Sequence, residues 1–140
     1  MNHDEFLIKY SETVTRAFKF SEKARREGLL ALEDALDEDK VSNRDIFEYG
    51  MRFVVDGTDG IVIRSILENI TRQENDKYKK EIMSIQVEAV LSIQAGDNPR
   101  ILFYKLNSFT DLSLTDDPGA KALDEVISNI EKAYATRHHV

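Results

Sequence analysis

The sequence predicts an all-α protein, a small helical bundle with one long central helix. Three observations carry this. Apolar residues recur mostly at spacings of three and four, the helical period. Only two prolines occur in 140 residues, Pro99 and Pro118. No stretch alternates apolar and polar residues long enough to compete as a half-buried strand. The length suits a single domain that buries a core without disulfide staples.

The first helical stretch covers residues 4–36, with room for a bend. Phe6, Tyr10, Val14, Ala17 and Phe18 begin its stripe, and Ser21, Ala24, Gly28, Ala31, Leu32 and Ala35 continue it. Small residues in that stripe permit close helix approach. Gly28 costs roughly 1 kcal/mol against alanine inside a helix, so close packing is the expected reason for it. Residues 37–40 read as a loop, after which Ser42 or Asn43 caps a helix with Ile46, Phe47, Gly50, Met51 and Val54 on its apolar face.

Asp56-Gly57-Thr58-Asp59-Gly60 ends that helix at Gly57 and starts the next at Thr58 or Asp59. Residues 61–95 contain neither glycine nor proline and form one long helix, or two joined near residues 72–80. Ile63, Ile66, Leu67 and Ile70 mark the first part. In the second, Ile82, Ile85, Ala89 and Ile93 share a face, and Met83, Val87, Val90 and Leu91 widen it, leaving only Ser84, Glu88 and Ser92 as a polar strip. A helix so apolar belongs at a bundle centre or a subunit contact, so a homo-oligomer is expected. Aspartate at Ile85 or Leu91 should then cost several kcal/mol.

Gly96 closes this helix, and Asp97 or Asn98 caps a short one with Pro99 at its first position and Ile101, Leu102, Tyr104, Leu106 and Phe109 along it. Residues 110–115 form a linker. Asp116 or Asp117 caps a last helix striped by Leu123, Val126, Ile127, Ile130 and Tyr134. The expected organisation is a helical domain over residues 1–110, with a linker and C-terminal helix over 111–140 packing on it.

Composition narrows the chemistry. With no cysteine there is neither disulfide nor thiolate metal site. His3, His138 and His139 all lie at the ends of the chain, where termini are usually loose. The net charge of −7 argues against nucleic acid and anionic membrane as partners. No run approaches the roughly 20 apolar residues that span a bilayer, and the N-terminus lacks the basic-then-apolar order of a signal peptide, so a cytoplasmic location is expected. The 56–60 segment has the flavour of a calcium loop, but its twelfth position is Leu67 rather than glutamate. No phosphate loop and no serine–histidine pairing is present, so no catalytic residue, cofactor or metal is expected. Arg25, Arg26 and Glu33 stand out on the small-residue helix. Arg26 and Glu33, seven residues apart, would nearly share a face about 10 Å apart along the axis.

Three segments resemble the MotA flagellar stator family. They are Ala24-Arg25-Arg26-Glu27-Gly28-Leu29-Leu30-Ala31-Leu32-Glu33; Gly50-Met51-Arg52-Phe53-Val54-Val55-Asp56-Gly57-Thr58-Asp59, followed by Ile66-Leu67-Glu68; and Ser92-Ile93-Gln94-Ala95-Gly96-Asp97-Asn98-Pro99-Arg100-Ile101-Leu102, with Lys105-Leu106 and Ser108-Phe109 after it. They come in family order. In that family two transmembrane helices precede the first segment and two more separate the second from the third. Here a polar stretch around residues 74–80 joins the latter directly. The family's ion-pathway residues lie on the missing helices, so the resemblance implies no ion conduction. It also implies a torque contact with the rotor switch protein, made by an arginine three before the glycine and a glutamate five after it, which fall on Arg25 and Glu33. The implied role is a flagellar-motor binding or adaptor protein that contacts the rotor switch protein or the stator through Arg25, Arg26 and Glu33. The alternative is an oligomeric helical scaffold that keeps no motor contact.

Overall fold

The computed structural model describes residues 1–38 and 45–110, together with Glu125, Ser128 and Lys132. Among them are six α-helices and no strand, so the protein is all-α. The helices are α1 (His3–Glu27), α2 (Leu32–Glu38), α3 (Ile46–Val55), α4 (Gly60–Thr71), α5 (Lys77–Ala95) and α6 (Pro99–Asn107), with a 3-10 turn at Leu29–Ala31 between α1 and α2.

The start of α1 is tied down rather than loose. The Asn2 side chain accepts from the Glu5 amide at 2.8 Å, and the Glu5 carboxylate accepts from the Asn2 amide at 3.3 Å, a reciprocal capping box. The His3 ring lies 6.3 Å from the Phe6 ring and 5.9 Å from the Tyr78 ring. The Met1 amino group meets Asp76 at 2.8 Å, so the N-terminus sits against the turn between α4 and α5. The anticipated stripe is buried from Phe6 to Phe18, and Phe20 joins it.

The expected continuous helix over residues 4–36 breaks at Gly28. That residue has φ = +92°, ends α1, and donates its N–H to the Ala24 carbonyl at 2.8 Å. A side chain built there would meet nothing within 4 Å. Gly28 therefore serves a backbone conformation that other residues rarely adopt, and close packing is not its reason. The close approach occurs at Gly50 on α3, where a Cβ would lie 2.8 Å from both Leu67 Cδ1 and Val90 Cγ2. Both neighbours are buried, and the branched valine has little rotamer freedom. Gly50→Val is expected to lower stability by about 2–3 kcal/mol through overpacking. The urea midpoint reads this, and an unchanged midpoint would mean that α3 can shift away from α4 and α5 without loss.

Asp45, not Ser42 or Asn43, caps α3, its Oδ1 accepting from the Glu48 amide at 2.9 Å. The region 61–95 is two helices. Asp76 caps α5 by accepting from the Lys79 amide at 2.9 Å, and a short turn separates it from Thr71. The apolar Ile82–Ile93 segment is central, for α5 packs on α1, α3, α4 and α6. Ile85, Ala89 and Val90 are wholly buried and Val87 nearly so. The arc that pointed to self-association is thus covered largely within the chain. Leu91 is only partly buried, so the large effect of aspartate belongs to Ile85. Ser92 is not on a solvated strip: it is buried, and its hydroxyl donates to Asp97 at 2.7 Å. Lys105 pairs with the same carboxylate. These two hold the Asp97 carboxyl below its ordinary range, Lys105 having the larger effect.

Asn98 caps α6 with Pro99 in the first turn, as expected. Buried Tyr10 donates its hydroxyl to Asn107 at 2.9 Å, joining α1 to the end of α6. Burial raises the Tyr10 phenol well above its ordinary pKa, which keeps it neutral. Arg100 reaches the Ser128 hydroxyl at 3.1 Å. The 110–115 linker (apart from Thr110), the Asp116 or Asp117 cap, and the stripe of Leu123, Val126, Ile127, Ile130 and Tyr134 lie outside the described residues, as do His138 and His139.

Candidate functional site

The sequence singled out Arg25, Arg26 and Glu33. The structure puts the two arginines in the last turn of α1 and Glu33 in the first turn of α2, on opposite sides of the Gly28 bend. They therefore do not share one straight helix face. All three are exposed.

Both arginines converge on one carboxylate. Arg25 Nη1 lies 3.6 Å from Glu22 Oε1, and Arg26 Nε lies 3.2 Å from Glu22 Oε2. Glu22 is only 2% exposed. Its position one turn before Arg26 is the favourable i,i+4 order, and Arg25 joins from the i+3 position. The Arg25 side chain stays 44% exposed, so it serves Glu22 with one side and faces solvent with the other. Reversing Arg25 would place a second carboxylate beside the buried Glu22 and disturb folding, whereas Glu33 has no ion-pair partner among the described residues. Glu33 is therefore the cleaner position for a charge test.

Leu30 was missed as a site residue. The 3-10 turn after Gly28 presents it to solvent, 76% exposed, between the arginines and Glu33 in the chain. A large apolar side chain thus stands in solvent among charged neighbours. The sequence signal was partial: Leu29 and Leu30 both fall off the core stripe, and the pattern does not say that Leu30 is the exposed one of the two.

Among the described residues, no group of three histidine, aspartate or glutamate side chains converges to hold a metal ion. No described helix is long and apolar enough to cross a membrane.

The fold is a small helical bundle whose bend between α1 and α2 exposes Leu30 among charged side chains. The chain is similar to Motility protein A of Treponema phagedenis, with 36% identity over 81 residues that cover 58% of this chain and 30% of the relative. It is 46% identical over 61 residues to Motility protein A of Borreliella burgdorferi, covering 44% of this chain and 22% of the relative. Motility protein A of Treponema pallidum is 35% identical over 81 residues, with coverage of 58% and 30%. The chain thus spans less than a third of the length of each of these relatives. No family model matches it, and no solved structure matches it significantly. The partial similarity to motility proteins agrees with the stator resemblance of the three sequence segments.

Proposed function

We propose that this protein is a non-catalytic, cytoplasmic component of the flagellar motor that docks on the rotor switch protein, or on the stator, through the bend between α1 and α2. The observation that carries this reading is the exposed Leu30 set among exposed Arg25, Arg26 and Glu33, in a chain similar to Motility protein A. Leu30 supplies apolar contact, and the charges supply orientation and steering.

The reading includes no ion conduction. Where the resembled family places two membrane helices, this chain has only the turn between Thr71 and Lys77. A bundle that keeps a stator-like contact surface without the conducting helices acts as an adaptor, a decoy or a regulator.

A second reading, an oligomeric scaffold, draws on Ile61 and Val62 at the start of α4, which are 81% and 47% exposed. Co-purification from the native host separates the two. Recovery of rotor or stator components supports docking. Recovery of self-assemblies alone removes it in favour of the scaffold.

A further inference from the structure

Independently of the docking surface, a cleft of about 590 Å³ opens beside α3, between it and the first half of α5. That volume lies in the range of small-molecule sites, roughly 300–1,000 Å³. Its apolar walls are Ile46, Ile70, Ile82 and Met83.

The charges that line the cleft are sorted by sign. The two carboxylates are turned inward. Glu48 is 6% exposed, and its Oε2 is buried out of reach of solvent. Asp45 gives Oδ1 to the Glu48 amide and Oδ2 to the buried Arg16. The cations stay accessible. Besides the Met1 amino group, which Asp76 holds, they are Lys9, Arg52 and Lys79. Lys9 and Lys79 meet Glu12 and Glu74 at 3.6 and 3.7 Å, long pairs of little worth. Neither glutamate lines the cleft.

Arg52 is the anchor. Its Nη2 donates to Glu48 Oε1 at 2.8 Å, which fixes the guanidinium. Its side chain is nevertheless 52% exposed, and no described residue accepts from its Nε or Nη1. A guanidinium held on one edge by a buried carboxylate offers its remaining N–H groups, in a fixed plane, to a second carboxylate. Next to an apolar wall, this chain of net charge −7 therefore presents a cationic lining.

We propose that this cleft binds a small organic carboxylate with an apolar body. The carboxylate accepts from the remaining N–H groups of Arg52, Lys9 and Lys79 add attraction, and the body lies on Ile46, Ile70, Ile82 and Met83. An ammonium of the same shape would meet three cationic side chains and be rejected. The site is well separated from the docking surface, for Lys9 and Arg25 are sixteen residues apart on α1, about 24 Å along its axis.

The test is a titration of the ¹⁵N-labelled full chain with 3-phenylpropionate, and separately with phenethylammonium and with acetate, at fixed ionic strength. 3-Phenylpropionate is expected to bind saturably with a Kd of roughly 1 mM, as its size allows. Amide shifts should be confined to α3, α5, the end of α4 and the start of α1. The ammonium should bind at least about tenfold more weakly, and so should acetate, which lacks the apolar body. Arg52→Gln should weaken 3-phenylpropionate by at least about tenfold, and Met83→Trp, which fills the cleft, should abolish binding. If Arg52→Gln does not fold, Met83→Trp and the comparison of the three probes decide. Lack of saturation, equal binding of the ammonium or of acetate, shifts centred elsewhere, or wild-type affinity in either folded variant would overturn the proposal.

Discussion

Ile85→Asp is expected to leave the protein largely unfolded at 25 °C. Ile85 is wholly buried, and it sits on the helix that touches α1, α3, α4 and α6. The substitution removes a buried aliphatic side chain, worth about 2–5 kcal/mol by comparison with truncations to alanine. It also buries a carboxylate with no designed partner, which adds a penalty of similar size. A domain of this length has about 5–15 kcal/mol of stability to lose. The expected readout is loss of most helical circular dichroism and of the cooperative thermal transition. Ile85→Val, at about 0.5–1.5 kcal/mol, should keep both. A native spectrum and unchanged melting temperature for Ile85→Asp would mean that α5 is not the core helix.

The second large effect is expected at Asp45, which performs two tasks. Its Oδ1 caps α3, and its Oδ2 pairs with Arg16. Arg16 is 8% exposed, and its guanidinium carbon stands 4.6 Å from the centre of the Phe47 ring. Loss of a helix cap costs about 1 kcal/mol. Removing one partner of a buried ion pair costs about 3–5 kcal/mol when both are fully desolvated. The Asp45 side chain is itself 22% exposed, so solvent replaces part of what is lost. Asp45→Ala is therefore expected to cost about 3 kcal/mol in all, lowering the urea midpoint at unchanged slope. Arg16→Met combined with Asp45→Ala should cost less than the sum of the single changes, because no buried cation is then left behind. Strict additivity would show that the Arg16–Asp45 pair contributes only through the cap.

Helix existence and the apolar faces were legible because burial follows the helical period. That holds for Phe6 through Phe18, for the face of α3, and for Ile82, Ile85, Ala89 and Ile93. The joints were legible where a glycine and a capping residue coincide, as at Gly57 with Asp59 and at Gly96 with Asn98. Gly28 misled because a lone glycine between apolar residues fits either a tight contact or a helix end, and only its backbone angle separates them. The Arg16–Asp45 link and the burial of Glu48 were hidden for a different reason. Each depends on which helices become neighbours, and charged residues carry no periodic mark of whether they face solvent or a partner. At the candidate docking site, the sequence supplied the charges and missed the exposed Leu30, because the bend that turns Leu30 outward follows from Gly28.

Docking of the bend between α1 and α2 on the flagellar rotor switch protein, proposed above, makes a direct prediction at Glu33. Glu33→Arg tests it most directly, since Glu33 is exposed and has no ion-pair partner among the described residues. The measurement is a binding titration of the purified switch protein against wild type and Glu33→Arg at two salt concentrations, after both are shown to be equally folded. Wild type is expected to bind saturably, and the reversal to weaken binding about tenfold. The difference should shrink at high salt, because exposed charges are screened over about 8–10 Å. Equal affinity of the two proteins at both salt concentrations, or no binding by the folded wild type, would contradict it.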